Sequence, residues 1–271
     1  MENIKTPYKS VLTIAGSDSG GCAGIQADIK SISACGAYAA SVITATTAQN
    51  TQGVFDIHSI PIPHLEKQLD AVLSDIKFNA VKIGMLHSVE VIHLVKQKLE
   101  DYRIKNIITD PVMVATSGDI LINDNAVNAL KTFLPNATLI TPNILEAGLL
   151  IENTINLENL ETSTIKIGET YKTSVLLKGG HLNSPTNNMN DVLYLFDTKE
   201  IFHIKNTRIA THNTHGTGCS LSSSIAAFLS QGYDLETSVK KGCSYVNKAI
   251  LHGKNKILGQ GNGPINHFIL K

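Results

Sequence analysis

Hydrophobic positions along the chain fall into two alternating patterns: short β-branched runs that stop at glycine or proline, and longer stripes at helical spacing. Ser10–Ala15 (SVLTIA) is a run of the first kind, ends at Gly16 and predicts a buried strand. Ile25, Ile29, Ile32 and Ser33 fall at i, i+4, i+7 and i+8, so Gly24–Cys35 predicts a helix, with Gly36 just past its end. Ala39–Ala45 is strand-like again. Leu65–Leu73 is helical, Ala80–Ile83 a strand, and Val89–Tyr102 a helix with Val91, Ile92, Val95 and Leu99 on one stripe. Asn106–Thr109 is a strand that reaches Asp110-Pro111. Ala126–Leu134 is a helix with Asp124 near its start, Leu139–Thr141 a strand that reaches Pro142, and Ser174–Lys178 a strand before Gly179-Gly180. Val192–Phe196 and Ile201–Ile204 predict a hairpin turning over Asp197–Glu200. Two helices close the pattern, Cys219–Leu229 and about Leu235–His252. Asn153–Leu160 is polar and poorly periodic, and reads as a loop or short helix.

Strand–helix alternation sustained in this way predicts an α/β fold: a central, mostly parallel sheet with helices on both faces. No internal repeat interrupts it, and Asn183–Asn190 reads as an exposed loop rather than a linker, so residues 1–271 are expected to form one domain. In such sheets ligands bind beyond the carboxyl ends of the strands. The residues that follow the strands therefore carry the functional reading.

Charge narrows the choice of ligand. The chain has 23 Lys+Arg against 23 Asp+Glu, a net charge of +0. Only Arg103 and Arg208 are arginines, so there is no basic footprint for nucleic acid or a membrane surface. An anionic ligand would have to be held by local dipoles. No apolar run approaches the ~18 residues of a membrane span, and Met1–Lys9 has no secretory pattern. Cys22, Cys35, Cys219 and Cys243 show no metal-ligand spacing, which fits free thiols in a cytoplasmic protein.

Four segments carry candidate chemistry. In Asn213–Leu221 (NTHGTGCSL), two glycines precede a helix start, where backbone N–H groups and the helix dipole together make an anion hollow. Cys219 in the first turn would have its thiolate favoured by the same field, as a base or nucleophile near neutral pH. Ala15–Asp28 (AGSDSGGCAGIQAD) is rich in glycine, but its spacing is neither GxxxxGK[ST] nor GxGxxG. Asp110 and Glu146, at the ends of adjacent strands, are suited to Mg²⁺, and Asn143 to capping the helix that follows it. Lys178, beside Gly179-Gly180, could neutralise a phosphate. Taken singly, each segment also has a plain structural explanation: a tight turn, a packing cysteine, a solvated acid, a strand-terminal lysine.

In combination they do not. AGSDSGGCAGIQADIKSISACGAY, VITATTAQNTQGV, VKIGML, ITPNILEAGLL, LKGGH, NTHGTGCSLSSSIAA and GNGPINHF occur in this order. The chain thereby resembles the hydroxymethylpyrimidine/phosphomethylpyrimidine kinases of thiamine biosynthesis, in the ribokinase-like superfamily, from about Ser10 to Phe268. The resemblance implies a ribokinase-like three-layer fold. It implies phosphorylation of 4-amino-5-hydroxymethyl-2-methylpyrimidine and then of its monophosphate, with ATP and Mg²⁺, by a homodimeric enzyme. Position by position, Gln49 would bind the aminopyrimidine edge, with Gly16, Ala23, Asp28 and Met85 around it. Asp110 and Glu146 would organise Mg²⁺, and Asn143 and Lys178 would face the ATP phosphates. Gly216, Thr217 and Gly218 would form the anion hole, and Cys219 would be the base. Asn183–Asn190 would belong to a lid over the nucleotide. Cys22 stands where the family usually has glycine, which would change the first turn if that position needs a positive φ. The alternatives are a pyridoxal kinase and, from another class, a non-catalytic pyrimidine-binding regulator.

Overall fold

The computed structural model describes residues 6–113, 122–180 and 188–269. Its single sheet has the order β3-β2-β1-β4-β5-β6-β7-β8-β9. The strands are β1 (Ser10–Asp18), β2 (Tyr38–Gln49), β3 (Val54–Ser59), β4 (Ala80–Ile83), β5 (Ile107–Thr109), β6 (Leu139–Ile140), β7 (Ser174–Leu177), β8 (Asn188–Tyr194) and β9 (Ile201–Thr207). The six from β2 to β7 in the sheet order run parallel; β3 pairs antiparallel at one edge and the β8–β9 hairpin at the other.

The helices are α1 (Gly24–Ala34), α2 (Ile62–Leu73), α3 (Val89–Asp101), α4 (Asp124–Phe133), α5 (Ile144–Ile151), α6 (Leu160–Tyr171), α7 (Thr217–Ser230) and α8 (Leu235–Gly253). They divide between the two faces because successive side chains in a strand point opposite ways. Leu12, Ile14, Val81, Ile83, Ile140, Val175 and Leu177 face a core built with α2 to α6. Val11, Ala80, Ile108, Leu139 and Leu176 face a second core built with α1, α7 and α8. Strands covered on both sides read as continuous apolar runs, which is why the pattern located β1, β4, β5, β6 and β7. Among the described residues no helix is long and apolar enough to cross a membrane.

Three differences from the sequence reading have physical causes. β1 does not stop at Gly16. It continues to Asp18 through an irregularity between Ala15 and Ser17, where the missing side chain makes room for Met85: a Cβ on Gly16 would lie 2.7 Å from Met85 Cε. β2 likewise runs on to Gln49, with β3 paired along its outer half, so β1, β2 and β3 project as a ledge past the ends of the other parallel strands. α6 escapes the pattern because half of its buried stripe is polar or small: Ser163, Thr164 and Gly168 interrupt Leu160, Ile167 and Tyr171. Gly168 sits there because a Cβ would meet the Tyr194 ring at 2.4 Å. The lid expected at Asn183–Asn190 lies largely outside the described residues; the last three of these residues open β8.

Candidate active site

The strand ends converge on one cavity of about 350 Å³, with Asp18 and Gln49 of the ledge on one side and α7 across from them. All the residues given a substrate, metal, phosphate or catalytic role above line it except Asp28. Asp28 belongs below the cavity. It is 0% exposed and its carboxylate is fully engaged: Lys82 Nζ lies 2.9 Å from both oxygens, and the Thr13 and Ser223 hydroxyls donate to it at 2.6 and 2.7 Å. The substrate role expected of Asp28 is therefore corrected to that of a buried counter-ion. Burial alone would lower the Lys82 pKa, but the acidic groups around it, Asp28 first and Asp110 with it, together outweigh burial and the ammonium is held charged.

At one end of the cavity are the acids and Lys178. Asp110 follows β5, 3% exposed; its Oδ1 accepts from Thr141 Oγ1 at 2.9 Å and from Lys178 Nζ at 3.0 Å. Asn143 and Glu146 form a capping box on α5: the Asn143 amide donates to Glu146 Oε2 at 2.8 Å, and the Glu146 amide to Asn143 Oδ1 at 2.9 Å. Asn143 thus caps its helix, and one Glu146 oxygen is committed to the cap. Burial, only partly offset by Lys178 and aggravated by Asp110, pushes the Glu146 carboxyl up to about 7. Two hard oxygen donors, one of them short of positive charge, fit a divalent cation such as Mg²⁺.

The turn before α7 closes on this pair. Gly216 has φ +79°, and a Cβ there would lie 1.8 Å from the Cys22 carbonyl, so only glycine lets the two loops meet. A Cβ on Gly218 would lie 3.3 Å from Asp110 Oδ2 and 3.4 Å from Lys178 Nζ. The Thr217 amide and hydroxyl both turn back on the Thr214 carbonyl, at 3.2 and 2.6 Å. The Thr217 amide expected in the anion hole is therefore engaged within its own turn, while Gly216, Gly218 and Cys219 line the cavity around it at the start of α7. The thiolate expected of Cys219 is also corrected. Burial pushes its thiol up to about 11, Asp28 and Asp110 act in the same sense, and Lys82 only partly opposes them. The thiol is protonated at neutral pH; desolvation outweighs the helix dipole here.

The other end of the cavity is built on the ledge. Gln49 Nε2 lies 3.0 Å from His215 Nε2, and Gln49 Oε1 3.1 Å from Thr47 Oγ1. Burial lowers the His215 pKa despite Asp18, so its neutral ring can accept from the Gln49 amide. Asp18 organises the first turn: its carboxylate accepts from the Gly20, Cys22 and Ala23 amides at 2.8, 2.9 and 2.7 Å. Cys22 is not among the residues with positive φ, whereas Gly21 and Gly24 are, so the cysteine's backbone does not need the left-handed region. Sequence reasoning missed Asp18, Lys82, His215 and Asp191, all on the cavity wall. Lys82 had a signal, a lysine inside the apolar strand AVKI; Asp191 had none, because it adjoins a stretch that reads as loop.

Comparison with known proteins gives a consistent picture. A family described as phosphomethylpyrimidine kinase matches residues 18–266. The chain is 44% identical to a hydroxymethylpyrimidine/phosphomethylpyrimidine kinase of Haemophilus influenzae, covering 99% of this chain and 98% of that protein. It is 43% identical to a chloroplastic thiamine biosynthetic bifunctional enzyme of Arabidopsis thaliana, over 95% of this chain but only 50% of the plant protein, so it spans about half the length of such bifunctional relatives. The crystal structure of a Clostridium difficile phosphomethylpyrimidine kinase superposes with TM-score 0.77 at 38% identity, covering 89% of this chain and 99% of that one. A Staphylococcus aureus pyridoxal kinase in complex with AMP-PCP and pyridoxal superposes with TM-score 0.86 at 29% identity, covering 97% and 94%. The ribokinase-like three-layer architecture expected from the sequence is the one these kinases share.

Proposed function

Because the chain belongs to the phosphomethylpyrimidine kinase family, we propose that it transfers the γ-phosphoryl group of ATP to the hydroxymethyl oxygen of 4-amino-5-hydroxymethyl-2-methylpyrimidine, and then a second phosphoryl group to the monophosphate. The observation that carries this reading is the continuity of one cavity, from the Gln49 amide past the start of α7 to Asp110, Glu146 and Lys178. A carboxamide offers a donor and an acceptor to an aminopyrimidine edge, and His215 and Thr47 fix its orientation. Gly16 and Met85 flank the ring. Leu221, Val246 and Ile250 give an apolar seat to the adenine.

In each transfer an acceptor oxygen of the substrate forms a bond to the γ-phosphorus as the bond to the ADP oxygen breaks; the first acceptor is the hydroxyl, whose proton departs, and the second is an ionised oxygen of the monophosphate. Such transfers depend on positioning and charge neutralisation more than on covalent help. Asp110 and Glu146 would hold Mg²⁺, which neutralises the phosphates when bound. Lys178 lies beside them, and the Gly218 and Cys219 amides face the developing charge. Cys219 is the candidate base for the hydroxyl proton; its thiol is protonated at rest, so only the minor thiolate form could take up that proton and its contribution is modest. A cytoplasmic homodimer completes the reading, in line with four free cysteines.

Pyridoxal is the second candidate substrate, favoured by the fit to pyridoxal kinases at TM-score 0.86. Both substrates are flat N-heterocycles with a hydroxymethyl group. A non-catalytic regulator would have no use for the Asp110–Lys178–Glu146 end. Steady-state ADP release with the pyrimidine, its monophosphate, pyridoxal and ribose separates these readings. Mg²⁺-dependent turnover is expected with the first two, exceeding that with pyridoxal and absent with ribose. Turnover with ribose and none with the pyrimidine would refute the proposal.

A further inference from the structure

Away from the Asp110–Glu146 pair, one more group of metal-binding side chains comes together among the described residues: Asp18, Cys22 and His215, with one donor atom from each within 4.8 Å of the others. They are 2%, 1% and 9% exposed. We propose that these three side chains form a site for a soft divalent cation of the Zn²⁺ type, and that filling it blocks recognition of the pyrimidine.

The donor set decides the cation. A thiolate, an imidazole and a carboxylate are zinc ligands, whereas Mg²⁺ takes oxygen donors only. The site would therefore not compete for the cation held by Asp110 and Glu146. Its framework exists before any metal arrives. The Gly20, Cys22 and Ala23 amides orient the Asp18 carboxylate. The His215 amide is tied to the Gly263 carbonyl at 3.1 Å. Cys22 Sγ makes one weak hydrogen bond, 3.7 Å to the Gly20 carbonyl, which a metal bond would replace. Zinc bonds of about 2.0 Å to N or O and about 2.3 Å to S set donor separations near 3.4 Å in a tetrahedron. His215 Nε2 and Asp18 Oδ2 are already 3.8 Å apart. Rotation of the Cys22 side chain supplies the third bond. Asp18 and His215 both line the cavity, which leaves the fourth position to water. Binding is not redox chemistry: the Cys22 thiol gives its proton to solvent as the sulfur–metal bond forms.

The consequence follows from a single atom. His215 Nε2, which faces Asp18, is the atom 3.0 Å from the Gln49 amide nitrogen. A metal on that lone pair removes the acceptor that orients Gln49. Metal binding is argued from the cluster alone; its effect on the pyrimidine rests on the function proposed above. Cys22 makes the difference for this chain, because a glycine there leaves only two ligands.

Cobalt(II) titration of the full-length protein tests the site without reference to activity. The expected result is a thiolate-to-cobalt charge-transfer band with tetrahedral ligand-field bands at one equivalent, release of one proton, and displacement by Zn²⁺. Cys22→Ser and Cys22→Gly should both lose the charge-transfer band while keeping the wild-type circular dichroism. In kinase assays with excess Mg²⁺, Zn²⁺ should raise the KM for the pyrimidine at least tenfold and leave that for ATP unchanged. Cys22→Gly should show wild-type turnover and at least tenfold greater tolerance of Zn²⁺. No band in the wild type, or an equal band in Cys22→Ser, would overturn the site. Equal zinc sensitivity of wild type and Cys22→Gly would overturn its inhibitory role. A normal cobalt spectrum in a protein inactive on the pyrimidine would leave the site standing and refute only the proposed substrate.

Discussion

Two Lys–Asp pairs with nearly equal N–O distances have their lysines on the cavity wall, among the described residues, and they do different things. Lys82 and Asp28 are 2.9 Å apart, both side chains 0% exposed; Lys178 and Asp110 are 3.0 Å apart, 17% and 3% exposed. The first is closed: Thr13 and Ser223 take up the remaining capacity of Asp28. The second is open: Asp110 Oδ2 faces the Gly218 turn at the cavity. A buried pair whose hydrogen bonds are complete acts as scaffold. A pair with capacity left over, beside helix amides and a carboxyl pushed up to about 7, is arranged for a ligand that brings both negative charge and a cation.

The largest effect is expected from breaking the closed pair. Asp28→Ala strands the Lys82 ammonium and should cost about 3–5 kcal/mol of stability, measured by urea unfolding. Replacing both partners, Asp28→Leu with Lys82→Met, should recover most of it. Unchanged stability with impaired turnover in Asp28→Ala would return Asp28 to the site.

The open pair should behave in the opposite way. Lys178→Met should lower turnover about 10²–10³-fold, as loss of a charge-stabilising donor does, and lose less stability than Asp28→Ala because this pair borders the cavity and its lysine is partly exposed. Stability loss equal to that of Asp28→Ala with unimpaired turnover would erase the distinction.

Glu146 sharpens the comparison through pH. Its folded pKa of about 7 lies above the ordinary 4.5. Between these values the folded protein holds a proton that the unfolded chain has released. Its contribution to stability is therefore present at low pH, falls as pH rises from 4.5 towards 7, and is lost above. Glu146→Gln should remove this slope. Asp191, pushed up to about 6 by burial, slopes the same way in both proteins, and His267, lowered to about 4 by burial, slopes oppositely. The check is the wild-type minus variant difference in unfolding free energy against pH; a flat difference would contradict the assignment.

Cys219 carries the smallest change. Cys219→Ala should lower turnover by no more than about 10², the low end for a general base. Alkylation of the wild-type thiol should accelerate towards pH 11 rather than near neutrality. A rate plateau below pH 8 would restore the thiolate.

The sequence made the open site legible and the closed pair illegible for the same reason. Asp110, Asn143, Glu146 and Lys178 sit just past strand ends, where parallel topology must place ligands, so position alone singled them out. Asp28 lies inside α1 and Lys82 inside β4, and nothing local shows which lysine an aspartate meets 54 residues away. Asp28 therefore looked like a pocket residue and Lys82 passed unnoticed. The fold shows the same division. Strands buried on both faces stood out as apolar runs, while α6 packs through Ser163, Thr164 and Gly168, whose burial depends on Tyr194 of a distant strand. The charge state of Cys219 was misread because the helix dipole is local and visible, whereas the desolvation that outweighs it is imposed by the tertiary structure.

The distinction between the two pairs is tested most directly by calorimetric titration of ADP, with and without Mg²⁺, into the wild type, Asp110→Asn and Ser223→Ala. Mg²⁺ should tighten ADP binding in the wild type and in Ser223→Ala, which alters only the closed pair, and should have no effect in Asp110→Asn. Equal Mg²⁺ enhancement in Asp110→Asn, or its loss in Ser223→Ala, would contradict the account.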